Sequence, residues 1–146
     1  MVTEADIRFL KRCEDLGSEA AANGNPAVGA VIVRNGVLLS EAAEAGKSKN
    51  DITYHAELEA LRIAVAEMNI NDLYDCVMST SHEPCVMCAY AIRFYRIRKV
   101  VFQHYVSHLG SISSALPLLT THSVPDSWSK PPEIIHIPSG KHHGNI

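Results

Sequence analysis

Two short stretches of the chain, His55-Ala56-Glu57 and Pro84-Cys85-Val86-Met87-Cys88, constrain its fold more than any other feature. Each opens a segment of helical character, so the fold must set two helix N-termini side by side. Thiols at positions i and i+3 of a helical turn point to one side, and the positive end of the helix dipole favours their anions. Cys85 and Cys88 are therefore suited to hold a borderline-soft cation. With His55 they offer three N/S donors and leave a fourth tetrahedral position free, the pattern of a catalytic rather than a closed structural zinc site, with one Zn2+ per chain. Two thiolates and a neutral imidazole cancel the charge of the ion and weaken its Lewis acidity, so a carboxylate must help remove the proton of the attacking water. Glu57 is the candidate for that task, acting first as base and then as acid. Taken singly, the motifs say less. A lone C-x-x-C also suits a redox pair or half of a structural zinc knuckle, and positions i and i+2 do not share a helix face.

Composition narrows the setting. At 47% hydrophobic and 20% charged residues the chain resembles a soluble domain, and residues 1–146 are expected to form one. A formal charge of −3 provides no net positive field for phosphates, so a small, nearly neutral or weakly cationic substrate fits better than nucleic acid. The N-terminal MVTEADIRFLKRCEDLG has no uninterrupted apolar core, and no later segment is apolar enough to span a bilayer. The expectation is a cytoplasmic protein with reduced thiols and no membrane partner.

Periodicity gives the elements. Thr3 and Asp6 suggest a capping arrangement, and Ile7, Leu10, Cys13, Leu16 and Ala20 recur at helical spacing up to Asn23-Gly24-Asn25-Pro26. Residues 27–33 and 37–39 read as strands joined by an Asn35-Gly36 turn, and 43–52 as a polar loop. A helix is expected over 53–68 with Leu58, Leu61, Ile63 and Val65 mostly buried, then a strand over 74–80, a helix from Pro84 through Tyr95 and a buried strand over 99–103. Residues 111–119 read as a further helix, 133–137 as a last strand, and 139–146, with His142-His143, as a flexible end. Alternating strands and helices favour an α/β layer fold.

Together, H-x-E and P-C-x-x-C reproduce the signature of zinc deaminases. The chain resembles the cytidine and deoxycytidylate deaminase superfamily, in the branch of tRNA adenosine deaminases, guanine deaminases and fungal cytosine deaminase. The resemblance rests on Glu83-Pro84-Cys85-Val86-Met87-Cys88-Ala89, Ala91-Ile92, Arg98-Lys99-Val100-Val101 and Asn25-Pro26-Ala27-Val28-Gly29-Ala30. It implies a three-layer α/β/α fold around a mixed, mostly parallel five-stranded sheet, and a homodimer with its interface near the active sites. It also implies zinc on His55, Cys85 and Cys88, a proton shuttle at Glu57, and contacts from backbone groups at Ala56 and Cys85. Asn25, Glu44, Ala56 and His82 are the candidate substrate-binding residues.

Two positions depart from the family pattern. His82 stands where a small or apolar residue usually precedes Glu-Pro-Cys. Glu44 stands where related enzymes carry a base-reading asparagine; an ionised glutamate only accepts hydrogen bonds, so the ring it faces should present an N–H. The expected activity is hydrolytic release of ammonia from a free nucleobase or related aminoheterocycle, a guanine-like purine being favoured. The alternatives are a tRNA adenosine deaminase and, in another class, a non-catalytic zinc-binding scaffold. Because the segment after the last strand carries one lysine and no arginine, tRNA is not expected as substrate.

Overall fold

The computed structural model describes residues 1–139; the expectations for Gly140 to Ile146, His142-His143 included, lie outside them. Helix α1 spans Glu4–Ala22, and its start is fixed as the sequence suggests: Thr3 and Asp6 form a reciprocal capping box. Asp6 also accepts a hydrogen bond from the buried Lys99 ammonium at 2.8 Å. Strands β1 (Gly29–Arg34) and β2 (Val37–Ala43) form a hairpin. Asn35 and Gly36 turn it at φ of 51° and 77°, the left-handed pair that a two-residue loop requires.

Helix α2 (Ala56–Met68), strand β3 (Cys76–His82), helix α3 (Val86–Phe94), strand β4 (Lys99–His104) and strand β5 (Glu133–His136) follow. The sheet order is β2-β1-β3-β4-β5. Leu10, Cys13 and Leu16 of α1 pack with Val31, Val33 and Val101 on one face. Residues of α2 and α3, among them Ala60, Leu61, Ala89 and Ile92, pack with Ala30, Ile32, Met78 and Val100 on the other. The fold is thus the expected three-layer α/β/α arrangement on a mixed sheet. Each fully buried aliphatic side chain in these layers contributes about 1.5–3 kcal/mol relative to exposure.

Several expectations are corrected. The sheet is not mostly parallel: β1 runs antiparallel to both β2 and β3, while the β3–β4 and β4–β5 pairs are parallel. Ile7 is 52% and Ile63 36% exposed. The inward face of α2 is instead Ala56, Glu57, Ala60, Leu61 and Ala64, mostly small residues that let the helix lie close to the sheet. Residues 111–119 form turns. Pro117 lacks a donor and disfavours helix at Leu116, and the amides of Ile112 and Ser113 are drawn to the Glu83 carboxylate at 2.8 and 2.7 Å. No helix among the described residues is long and apolar enough to cross a membrane.

The N-termini of α2 and α3 both open at the carboxyl end of β3, where parallel pairing with β4 begins a crossover. Open α/β sheets place their ligand sites at that end of the strands.

Candidate active site

His55 is the N-cap of α2 and Cys85 the N-cap of α3, both with extended backbone at ψ of 144° and 175°. This resolves the spacing problem of H-x-E. His55 lies outside the helical array, so its ring and the Glu57 side chain, two residues on, converge. Cys88 sits one turn into α3. The Nδ1 atom of His55 lies 3.5 Å from Sγ of Cys85 and 3.5 Å from Sγ of Cys88, and the two sulfurs are 3.8 Å apart. Tetrahedral coordination with Zn–S near 2.3 Å and Zn–N near 2.0–2.1 Å requires edges of about 3.8 and 3.5 Å. The three donors therefore fit a zinc ion, and among the described residues they are the cluster able to hold one.

The electrostatics suit ligation. The Cys85 thiol is pushed down to about 4, chiefly by the hydrogen bond from Cys88, with His55 also favouring the anion. Cys88 is driven up by that same bond and by burial. His55 is raised to about 9, first through its hydrogen bond with Cys85. Metal binding must displace the remaining protons, which ties it to pH.

Glu57 is 4% exposed. Its Oε2 accepts from the Thr80 hydroxyl at 3.3 Å, and its Oε1 lies 3.9 Å from Cys88 Sγ. Burial raises its carboxyl to about 7, against the pull of its own backbone amide and of His55. A carboxyl held near neutrality both accepts and gives up protons with little driving force, which suits acid–base work. His55, Glu57 and Cys85 line a cavity of about 550 Å³ whose wall also includes Glu44, His82, Val28 and Val106. That volume lies within the range of about 300–1,000 Å³ usual for small-molecule sites.

A family profile described as "Cytidine and deoxycytidylate deaminase zinc-binding region" matches residues 3–104. The chain is 34% identical over 111 residues to a tRNA-specific adenosine deaminase of Aquifex aeolicus, covering 76% of this chain and 74% of that one. The chain belongs to the cytidine and deoxycytidylate deaminase family. The deaminase is also 41% identical over 96 residues to a guanine deaminase of Bacillus subtilis, covering 64% of this chain and 61% of that enzyme's length. A solved structure from work on A-to-I editing by tRNA:A34 deaminases superposes with a TM-score of 0.80 at 25% identity, covering 90% of this chain and 98% of that one. Members of the family are hydrolases acting on C–N bonds. Because tRNA-editing relatives match at least as broadly as guanine deaminase, the expectation that tRNA is no substrate is not supported.

The remaining candidates separate. Glu44 is 7% exposed and lines the deaminase cavity; one oxygen accepts from the Gly46 amide at 3.2 Å, its one protein donor among the described residues. Ala56 is buried as the first residue of α2. His82 lines the cavity with its Nδ1 on the Ser81 hydroxyl at 2.9 Å. Asn25 does not line it. Its amide is engaged at both ends by Ser48, which donates from its backbone N–H at 2.9 Å and accepts at 3.0 Å, so it braces the 45–50 loop.

The Glu-Pro-Cys motif carries one further structural residue. Glu83, 2% exposed, accepts from the amides of Val106, Ile112 and Ser113 and from the Ser113 hydroxyl. Burial opposes its charge, but these four donors outweigh it and hold the carboxyl below its usual range. It thereby folds the 104–113 loop over the metal site, where Cys85 pairs with Gly110. The signal in the sequence was an acidic residue directly before Pro-Cys with serines and a glycine about thirty residues downstream, a pattern with no local periodicity.

Proposed function

We propose that the deaminase, as one domain over residues 1–146, hydrolyses the exocyclic amine of a free nucleobase or related aminoheterocycle, guanine-like rings being preferred. His55, Cys85 and Cys88 hold the zinc, which when bound supplies the Lewis acidity that makes water a nucleophile at neutral pH. Glu57 takes one proton from the attacking water and passes it to the ring nitrogen, then carries the proton of the newly added hydroxyl to the amino group as the C–N bond breaks, so that ammonia leaves and a carbonyl forms. The observation that carries the substrate class is Glu44, a nearly buried carboxylate in the cavity wall with an oxygen left for a ligand. Facing a lone pair, a desolvated carboxylate costs several kcal/mol, so the ring should bring it an N–H. None of the residues lining the cavity is lysine or arginine, which favours an uncharged ligand.

A second reading is editing of an anticodon adenosine, favoured by the superposition that covers nearly all of a tRNA:A34 deaminase structure. Ammonia release from guanine, other aminopurines, cytosine, pterins and triazines, measured beside an anticodon stem-loop with a wobble adenosine, separates the two. Turnover of lactam-bearing or polyamino rings is expected; turnover of the stem-loop alone would overturn the first reading. The homodimer implied by the family is part of the proposal. Tyr90 and Phe94, stacked and exposed on α3, offer an aromatic face for it, and sedimentation tests it.

A further inference from the structure

The Ser81 hydroxyl, in a residue 3% exposed, has two partners among the described residues. It accepts from the Gly29 amide at 3.1 Å and lies 2.9 Å from His82 Nδ1. A hydroxyl carries a single proton. Were Nδ1 protonated, it would donate to Ser81, and the Ser81 proton would be buried with no acceptor. The arrangement in which every group is satisfied has Ser81 donating to Nδ1, so the proton of the neutral ring sits on Nε2. The His104 ring, 4.9 Å away, adds no acceptor to this pair. Burial first, and His104 second, hold His82 below the usual histidine range and favour its neutral form. Its Nε2 has no partner among the described residues and is not one of the sealed buried polar atoms.

We propose that His82 presents Nε2–H as a fixed hydrogen-bond donor to the substrate, with Ser81 as the residue that sets its tautomer. The inference deepens the free-base reading of the same cavity. Glu44 only accepts and His82 only donates. The ligand must then offer an N–H to the first and a carbonyl oxygen to the second, the donor–acceptor edge of a lactam. The non-reacting edges of adenosine offer ring-nitrogen lone pairs alone, with no carbonyl for His82 and no N–H for Glu44. A hydrogen bond of this kind discriminates more sharply than apolar shape, because its loss strands a buried polar group.

The zinc-loaded protein with 15N-labelled histidine gives a direct test. At neutral pH His82 should show a pyridine-type Nδ1 and a proton on Nε2, and Ser81→Ala should erode that preference. Titration with xanthine, the product of guanine deamination, should move the Nε2–H resonance. In kinetics, His82→Leu should lower kcat/KM for guanine by about tenfold or more while changing 2-aminopurine, which lacks the carbonyl, by less than about threefold. His82→Gln, which keeps a donor, should recover part of the loss. A proton on Nδ1, an Nε2–H signal indifferent to xanthine, or equal losses on both substrates in a folded His82→Leu protein would overturn the inference. If the wild type deaminates no free heterocycle while xanthine still moves that signal, the free-base reading fails and the donor assignment stands.

Discussion

Glu57 Oε1 stands 3.9 Å from Cys88 Sγ, so the first turns of α2 and α3 meet at one buried point. A metal held between those turns joins two elements that are otherwise linked only through the sheet and a few helix contacts. Its removal should be felt by the fold as well as by the chemistry.

Metal analysis should therefore find about one zinc per chain in the wild type and none in the Cys85→Ser, Cys88→Ser double variant. Loss of thiolate ligation should lower stability by at least about 3 kcal/mol, roughly 10 °C in melting temperature for a chain of this size. Stoichiometric zinc retained in the double variant would contradict the ligand assignment.

Gly110 is predicted to tolerate no side chain, because a Cβ there would collide with the Glu83 carboxylate. Gly110→Ala should destabilise by about 1–3 kcal/mol and displace the loop that lines the cavity. Glu83→Gln sets an amide N–H₂ against the Val106 amide or against those of Ile112 and Ser113, and should cost about 2–3 kcal/mol. Both are checked by denaturant midpoints, and KM should rise in whichever variant still folds.

Glu44→Gln and Glu44→Asn should reorder substrates, with kcat/KM for lactam-bearing rings falling about tenfold or more relative to rings with lone pairs alone. An unchanged ranking across the panel, with all rates within about threefold, would remove Glu44 from recognition.

Acid stability offers a check remote from the site. The hydrogen bond from Arg12 holds the Glu41 carboxyl below its ordinary value of 4.5. A carboxyl depressed in the folded state stabilises fully above the unfolded value, and that contribution disappears as pH falls through the folded one. Wild type should thus lose up to about 1 kcal/mol below pH 4.5 that Arg12→Leu never had, the pair being partly exposed. Parallel stability curves for the two proteins would show the pair to be inert.

Elements governed by local chemistry were legible in the sequence. Thr3 and Asp6 announce the start of α1, Asn35-Gly36 the hairpin, and Pro84 with its cysteines the start of α3. The metal donors were readable too, because ligand chemistry tolerates few residue types at those spacings. What escaped was set by partners distant in sequence. Residues 111–119 read as helix, yet the amides of Ile112 and Ser113 satisfy Glu83. Asn25 looked like a pocket residue, yet Ser48 takes both ends of its amide. The buried face of α2 is carried by alanines because the sheet lies close, which a hydrophobicity pattern favouring Ile63 does not reveal.

The account turns on Glu57 as the group that moves the proton, and one substitution tests it. Glu57→Gln is nearly isosteric and leaves the three metal donors in place, so zinc content and melting temperature should stay close to wild type. Turnover of the best substrate, followed by ammonia release, should fall at least about a hundredfold, the low end for loss of general acid–base catalysis. A zinc-loaded, folded Glu57→Gln protein whose kcat stays within a few-fold of wild type would contradict the account.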